Sequence, residues 1–446
     1  MCGFIFTNRS IADLAHVNRY IQRRGPDHTS EMHRGAHAFV HNLLSITGAF
    51  TPQPMVSRDQ QVWCLFNGEI YNYRQFGDYD NDARCLIPLY EQYGPAFTRH
   101  LDGEFALVLA DFHTQTLMIS TDVFATKPLW MDVQGAAVGV ASYASALSEL
   151  GFKQPEKVAA NTTLIMDLND LTLKERRPVF DFDIHRQEKT GFDDWMTAFT
   201  HAVHKRAVAN VREKIFIGLS SGYDSGAIAC ELLTQQVPFK AYTLLGRENR
   251  EVLDQRHARI QPVAKSEWLA DAPEARAEAH RFLKTHVEPF QYRIFSGSSD
   301  YNEFGLDLRD DHGAVSLSMV AACARRDDRK IYLSGQGADE IFADYGFNGH
   351  KIYPHSTFGG RFPADLTSIF PWPSFYDSSM LSYLCKEEYV AGAHGLEARY
   401  PFLDPQVVQE FLWLDHRLKN RWYKSVLHHY LTVRGFPFGE NQKFGF

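Results

Sequence analysis

Ile215-Phe216-Ile217-Gly218-Leu219-Ser220-Ser221-Gly222-Tyr223-Asp224-Ser225 sits near the middle of the 446-residue chain. An apolar, β-prone run stops there at small and hydroxyl residues. Gly226-Ala227-Ile228-Ala229-Cys230-Glu231-Leu232-Leu233 follows and reads as a helix. A strand, a tight turn and a helix N-terminus turn free N–H groups and the positive end of a helix dipole toward an anion. Ser220, Ser221 and Ser225 add hydroxyl donors, and Gly222 lets the backbone come close. Asp224 repels a bare phosphate, which argues for a divalent cation between carboxylate and phosphate. The spacing is not the Gly-x-x-x-x-Gly-Lys-Ser/Thr of a P-loop. Taken alone, the same residues also suit a serine-rich turn with a helix-capping aspartate.

Downstream, Phe239 to Leu245 reads as a second strand, and Arg247 to His286, charged and alanine-rich, as mostly helical. Lys330 to Leu333 is a further strand running into Ser334-Gly335-Gln336-Gly337-Ala338-Asp339-Glu340-Ile341-Phe342. Strands alternating with helices predict a parallel α/β sheet that binds ligands at its carboxyl edge, with Ser220 and Ser334 both on that edge. Upstream, Met196, Phe199, Val203 and Ala207 recur at helical spacing between Trp195 and Arg212. His201, His204, Lys205 and Arg206 read there as a solvated face. Residues 181–194 are polar and aperiodic and read as a linker.

Composition narrows the class. Hydrophobic residues make up 44% and charged residues 22%, enough for two or three ordinary cores. A formal charge of −8 gives no electrostatic footprint for a nucleic-acid partner. No apolar run is long enough to span a bilayer, and the N-terminus lacks the pattern of a signal peptide. Cysteines at 2, 64, 85, 230, 323 and 385 form neither a disulfide framework nor a metal spacing. A reduced, cytoplasmic enzyme is expected. Cys2 stands out because removal of Met1 would give it an α-amino group, with a pKa of about 8, as the base for its own thiol. By itself it reads rather as an ordinary buried cysteine near a strand start, and only the segments that follow reverse that reading.

The remaining N-terminal signals come in a fixed order. Met1-Cys2-Gly3 is followed by Arg23-Arg24-Gly25-Pro26-Asp27 and by Phe66-Asn67-Gly68-Glu69-Ile70-Tyr71-Asn72, where Asn-Gly reads as a turn between apolar strands. Leu101 to Asp111, Thr121-Asp122 and Lys127-Pro128-Leu129-Trp130 complete the series. This order resembles the glutaminase domain of class II amidotransferases, the N-terminal-nucleophile hydrolases, over roughly residues 1–180. The resemblance implies an α-β-β-α sandwich in which the Cys2 thiolate attacks the side-chain amide of glutamine. It also implies that the Asn67 side chain and the Gly68 N–H receive the oxyanion, and that Glu69 and Asp82 hold the α-ammonium. Leu43 stands where asparagine synthetases carry an arginine that forks onto the α-carboxylate. Either Arg24, Arg34 or Arg58 replaces it, or free glutamine binds poorly.

The Ser220–Ser225 turn resembles the pyrophosphate loop of ATP pyrophosphatases, SGGxDS, with Ser221 in place of the first glycine. Ser334 to Phe342 resembles the SGEGSDE signature of asparagine synthetases. Gly395-Leu396-Glu397-Ala398-Arg399-Tyr400-Pro401-Phe402-Leu403-Asp404 resembles their GVEARVPFLD, and Lys424-Ser425-Val426-Leu427 their K-x-x-L helix. The chain is thereby similar to the glutamine-dependent asparagine synthetase family over nearly its whole length. The resemblance implies a glutaminase domain at 1–180, a linker at 181–194 and an ATP-pyrophosphatase domain at 195–446. It implies ATP and Mg2+ as cofactors, with Asp224 and Asp339 sharing the metal. Leu219, Ser220, Ser221, Gly222, Tyr223, Asp224, Ser225, Leu244, Ser334 and Gly335 would bind ATP, with Lys424 on the phosphates. Glutamine and a carboxylic acid are the expected partners, without nucleic acid or membrane; a homodimer is compatible with the sequence.

The implied reaction is amide formation through an acyl-adenylate, with ammonia from glutamine and aspartate as the default acid. A ligase of specialised metabolism acting on another acid, or using ammonia or another amine, is the alternative. A non-catalytic nucleotide-binding regulator is a third reading, opposed by the retention of Cys2, Asp224, Asp339 and Lys424. Gln336 stands in place of the family's glutamate and His428 in place of an arginine. The sequence as read ends at Lys443-Phe444-Gly445-Phe446, short of the family's C-terminal extension.

Overall fold

Every second side chain along Gly103–Asp111 (Ala106, Val108 and Ala110) enters one apolar layer, and so do Trp63 and Leu65 of Val62–Ile70 beside it. Phe4 and Phe6, Phe39, and Val138 and Val140 meet them from a second sheet. That period of two is what a strand with one face on a core dictates. The computed structural model describes residues 2–209, 211–246, 248–295 and 301–440, with backbone alone at 301–305. The readings on Met1 and on Lys443–Phe446 fall outside these. The chain divides into two compact units: residues 1–181 with 286–288 and 391–397, and residues 182–285 with 289–390 and 398–446.

The first unit is an αββα sandwich of two antiparallel six-stranded sheets. One runs Glu156–Lys157, Trp130–Gln134, Ala137–Ala141, Gly3–Thr7, His37–Leu43, His28–Arg34. The other runs Leu173–Arg177, Thr163–Asp167, Thr116–Thr121, Gly103–Asp111, Val62–Ile70, Met55–Val56. Helices Ile21–Arg24 and Ala144–Glu149 cover the first sheet, and Leu86–Tyr93 the second. Asn67-Gly68 is not the turn that its dipeptide suggests. Both residues lie inside the Val62–Ile70 strand, opposite Ala106 and Phe105. Gly68 has φ +142, and a Cβ there would stand 1.9 Å from the Glu104 carbonyl oxygen. Its glycine serves a close strand-to-strand approach rather than a reversal.

The second unit carries a five-stranded sheet in the order Ala264–Leu269, Phe239–Leu244, Ile215–Gly218, Ile331–Leu333, Glu397–Arg399. The first four strands pair in parallel. Helices Tyr223–Thr234 and His312–Arg326 both pack on the central strand, whose Ile215, Phe216 and Ile217 are accordingly buried. Arg247 to His286 is less helical than its composition suggests. Ala264–Leu269 interrupts it as an edge strand, between helices Arg250–Ile260 and Pro273–His286. The basic run of the Asp193–Ala207 helix is also corrected: Arg206 is buried, and with Lys205 it pairs with the buried Asp404 carboxylate. Burial pushes the Asp404 carboxyl up, but the two cations outweigh it and hold it down at about 2.

Candidate active sites

Cys2 directly precedes the Gly3–Thr7 strand, whose neighbour ends at Leu43, so the thiol and Leu43 meet at one sheet edge. They line a small cavity, about 30 Å³, with Glu69 from the Val62–Ile70 strand, Asp82 from the short turn Asp82–Cys85 and Glu397 from the 391–397 segment. That is room for a water or two, less than a glutamine side chain fills. Asp82 accepts from the Ile70 N–H at 2.9 Å, and Glu69 from the Thr47 hydroxyl at 2.8 Å. The Cys2 thiol is pushed up to about 11, chiefly by burial, with Glu397 and Asp82 adding to it. Such a thiol needs a base beside it before it can attack. The reading that supplies one, a free Cys2 amine, concerns residue 1 and lies outside the described residues.

Asn67 is fully buried, yet neither its Nδ2 nor its Oδ1 has a hydrogen-bond partner. An amide left unsatisfied inside a core is costly, and a ligand oxyanion would satisfy the donor. Gly68 lines the Cys2 cavity, whereas Asn67 is not in its lining. None of the three arginines named as substitutes for the missing fork lies in its lining. Arg24 donates to the Cys2 carbonyl at 2.9 Å and the Tyr143 hydroxyl at 3.0 Å. Arg34 donates to Gln61 at 3.1 Å, and Arg58 lines a separate surface cleft. Among the described residues, the cavity wall has three carboxylates and no lysine or arginine.

In the second unit, the loops after two adjacent parallel strands come together. Ser220 and Ser225 join their hydroxyls at 2.8 Å, and Gly222 opens the Tyr223–Thr234 helix. A Cβ on Gly335 would meet the Cβ of Asp224 at 2.8 Å, so glycine allows the two loops to touch. Lys424 reaches in from the start of the Ser425–Val433 helix, which it precedes in the left-handed region at φ +46 rather than lying within it. Its Nζ lies 2.6 Å from Asp224 and 2.9 Å from Asp339. Burial opposes the Lys424 charge, but the two carboxylates outweigh it and raise its pKa. A non-glycine residue in that backbone region is strained by about 1 kcal/mol or more, and the double ion pair compensates. Two carboxylates converging on one cation also form a donor pair suited to Mg2+ beside phosphate oxygens.

Ser220, Asp224, Ser225, Ser334, Gly335 and Asp339 all line one cavity of about 270 Å³. Leu219, Ser221, Gly222 and Tyr223 shape it from behind. Leu219 donates to Tyr242 O at 2.8 Å, and the Tyr223 hydroxyl meets His428 Nδ1 at 3.2 Å. Leu244 ends its strand buried and is not in that cavity's lining. Gln336 donates to Glu340 at 2.9 Å.

Three participants carry no sequence signal of their own. Arg256 is buried beneath the loop and donates to the Gly222 carbonyl at 2.8 Å, to the Ser220 carbonyl and to Pro437 O at 2.8 Å. Glu248 lays its carboxylate on the loop, accepting from the Ser221 N–H at 2.7 Å and from its hydroxyl. It thus occupies an anion position that a phosphate would claim. Glu387, from the Ser379–Ala393 helix, lines the same cavity as Ser334. A charged residue in a helical run looks alike in sequence whether it faces solvent or a site.

Residues 1–177 match a family model described as a glutamine amidotransferase domain, and residues 194–368 one described as asparagine synthase. Glutamine-hydrolysing asparagine synthetases are similar to the chain throughout. That of Sandersonia aurantiaca is 24% identical over 427 residues, spanning 90% of this chain and 75% of the relative. Asparagine synthetase 1 of Saccharomyces cerevisiae is 24% identical over 441 residues, spanning 90% and 72%. The Gallus gallus enzyme is 24% identical over 436 residues, spanning 89% and 72%.

Proposed function

Because the chain belongs to the glutamine-dependent asparagine synthetase family, we propose that it activates a carboxylic acid as its acyl-adenylate and converts it to an amide. The carrying observation is the Lys424 ammonium held between Asp224 and Asp339 beside the Ser220–Ser225 loop. The substrate carboxylate attacks the α-phosphorus of ATP, and pyrophosphate leaves onto the loop. Lys424 offsets the charge that builds on it, and the loop's N–H and hydroxyl donors hold it once Glu248 has moved aside. Asp224 and Asp339 would hold Mg2+, which when bound supplies further charge neutralisation at the phosphates. Nitrogen comes from glutamine, hydrolysed at Cys2 with the Asn67 amide and the Gly68 N–H on the oxyanion and with Glu69 and Asp82 on the α-ammonium.

Aspartate is the default acid. A different carboxylic acid is the second reading, favoured by one feature of the cavity. Among the described residues its lining includes one lysine, Lys386, and no arginine, while Tyr345, Tyr353, His355 and Tyr383 form a packed aromatic wall. That wall suits an acid with an apolar body better than a second carboxylate. ATP–pyrophosphate exchange across a panel of carboxylic acids tests both readings. Exchange with aspartate above all other acids supports the default, exchange with an aromatic or aliphatic acid supports the second, and exchange with none of them removes the adenylation reading.

A further inference from the structure

Once an acyl-adenylate stands in the 270 Å³ cavity, a nitrogen that attacks it must lose a proton, and something in the wall must take it. Among the described residues, five carboxylates line that wall. Asp224 and Asp339 are committed to Lys424 Nζ. Glu340 accepts from Gln336 at 2.9 Å and from the Tyr345 hydroxyl. Asp311 accepts from the Tyr292 hydroxyl at 2.7 Å and caps the His312–Arg326 helix through the Gly313 N–H at 3.0 Å. Gln336, an amide, cannot accept the proton as a base.

Glu387 differs from all of these. Its side chain is nine-tenths buried, and its Oε2 has no hydrogen-bond partner. It lies beside the Ser334 and Tyr332 hydroxyls, at the loop whose Gly335 touches Asp224. A buried acceptor with an open oxygen is what a purely structural carboxylate avoids.

Resting on the adenylation reading above, we propose that Glu387 is the general base of the amide-forming step. The nitrogen lone pair attacks the acyl carbon and the C–N bond forms. The bond from the acyl carbon to the phosphate oxygen breaks, and AMP leaves with its electrons. The proton from nitrogen passes to Glu387 Oε2 and then to solvent.

The surroundings tune this carboxyl for the task. Burial lifts it to about 7, against Lys386 and the hydrogen bonds from the Ser334 and Tyr332 hydroxyls, with Glu388 adding to the rise. Lys386 is itself drawn toward Asp311 at 3.9 Å. Tyr332 flanks the carboxyl from the Ile331–Leu333 strand, and Tyr383 and His355 stand in the same cavity wall. Amide formation, expressed per unionised amine, therefore rises as pH passes upward through about 7, where the base form appears, and then levels off.

The test uses the full-length enzyme, the acid found by exchange, and ammonium chloride as nitrogen donor. Glu387→Gln should lower amide formation at least ~100-fold further than it lowers ATP–pyrophosphate exchange, and the rising limb near neutral pH should vanish. Glu387→Asp should recover part of the rate together with the limb. Equal loss of exchange and amide formation, retention of both, or a pH limb that survives in Glu387→Gln and disappears in His355→Gln would each overturn the proposal. Absence of exchange in the wild type would instead overturn the adenylation reading on which it rests.

Discussion

Leu43 lines the Cys2 cavity with Glu69, Asp82 and Glu397, three carboxylates facing a wall without a described lysine or arginine. Such a site attracts the α-ammonium of glutamine but offers its α-carboxylate no cation. An arginine fork would contribute charge-assisted hydrogen bonds of about 1.5 to 3 kcal/mol, or about ten- to a hundredfold in affinity. Glutamine hydrolysis by the wild type should therefore saturate only at high glutamine. Leu43→Arg should lower the KM for glutamine by about tenfold or more with little change in kcat, the pattern of binding that is equal in ground and transition states. Steady-state glutaminase assays on both proteins check this. A low wild-type KM would mean that another group reaches the carboxylate. The departure at Leu43 is legible in the sequence because it interrupts a motif. The silence of Arg24 is not, since only packing shows its guanidinium committed to Cys2 O and Tyr143.

The Ser220–Ser225 loop is fixed from below by the helix Arg250–Ile260, through one side chain. Arg256 binds three backbone carbonyls, and a Cβ on Gly226 would stand 2.3 Å from its Nη2. Burial pulls Arg256 down to about 10, so it remains charged at neutral pH. Arg256→Met keeps much of the stem's packing but takes the charged donor from the Ser220 and Gly222 carbonyls, which keep only the longer bonds from the Ser225 hydroxyl and the Gly226 N–H, each 3.3 Å. It should raise the KM for ATP in pyrophosphate exchange at least ~tenfold and lower the melting temperature by several degrees, since hydrogen bonds to charged groups contribute about 1.5 to 3 kcal/mol each. Calorimetry and exchange kinetics measure the two effects. An unchanged KM with a lowered melting temperature would make Arg256 a prop for the helix alone. Elements of this kind divide by how their signal arises. The strand-turn-helix at Ile215–Thr234 is legible because periodicity, turn residues and hydroxyl donors agree. The Ala264–Leu269 strand is hidden because Lys265, Ser266 and Glu267 give an edge strand no apolar run. Asn67-Gly68 misleads for the opposite reason: a strong local turn signal is overridden by nine residues of strand pairing against Gly103–Asp111.

Each of the two compact units has its own sheets and carries one half of the proposed chemistry, with Cys2 and Asn67 in one and Asp224, Asp339 and Lys424 in the other. Substitutions that do not unfold the chain should therefore separate the half-reactions. Cys2→Ala removes a buried sulfur whose hydrogen bond among the described residues is a weak one, to Leu44 O at 3.9 Å, so little hydrogen bonding is lost. It should abolish glutamine hydrolysis and glutamine-driven amide formation, while ammonium-driven amide formation stays within about twofold of wild type. Asp224→Asn acts on the other side. It keeps the side-chain shape but leaves the buried Lys424 with Asp339 as the remaining carboxylate of the pair. Loss of that charge should lower pyrophosphate exchange by about a hundredfold or more, together with amide formation from either nitrogen source. Glutamine hydrolysis should persist, and it serves as the control that the chain has folded. The crossed pattern is the informative one, because general destabilisation would lower both activities in both variants. If Cys2→Ala instead lost the ammonium-driven reaction as fully as the glutamine-driven one, the thiol would be acting in amide formation itself. The assignment of nitrogen release to the first unit and nitrogen capture to the second would then fail.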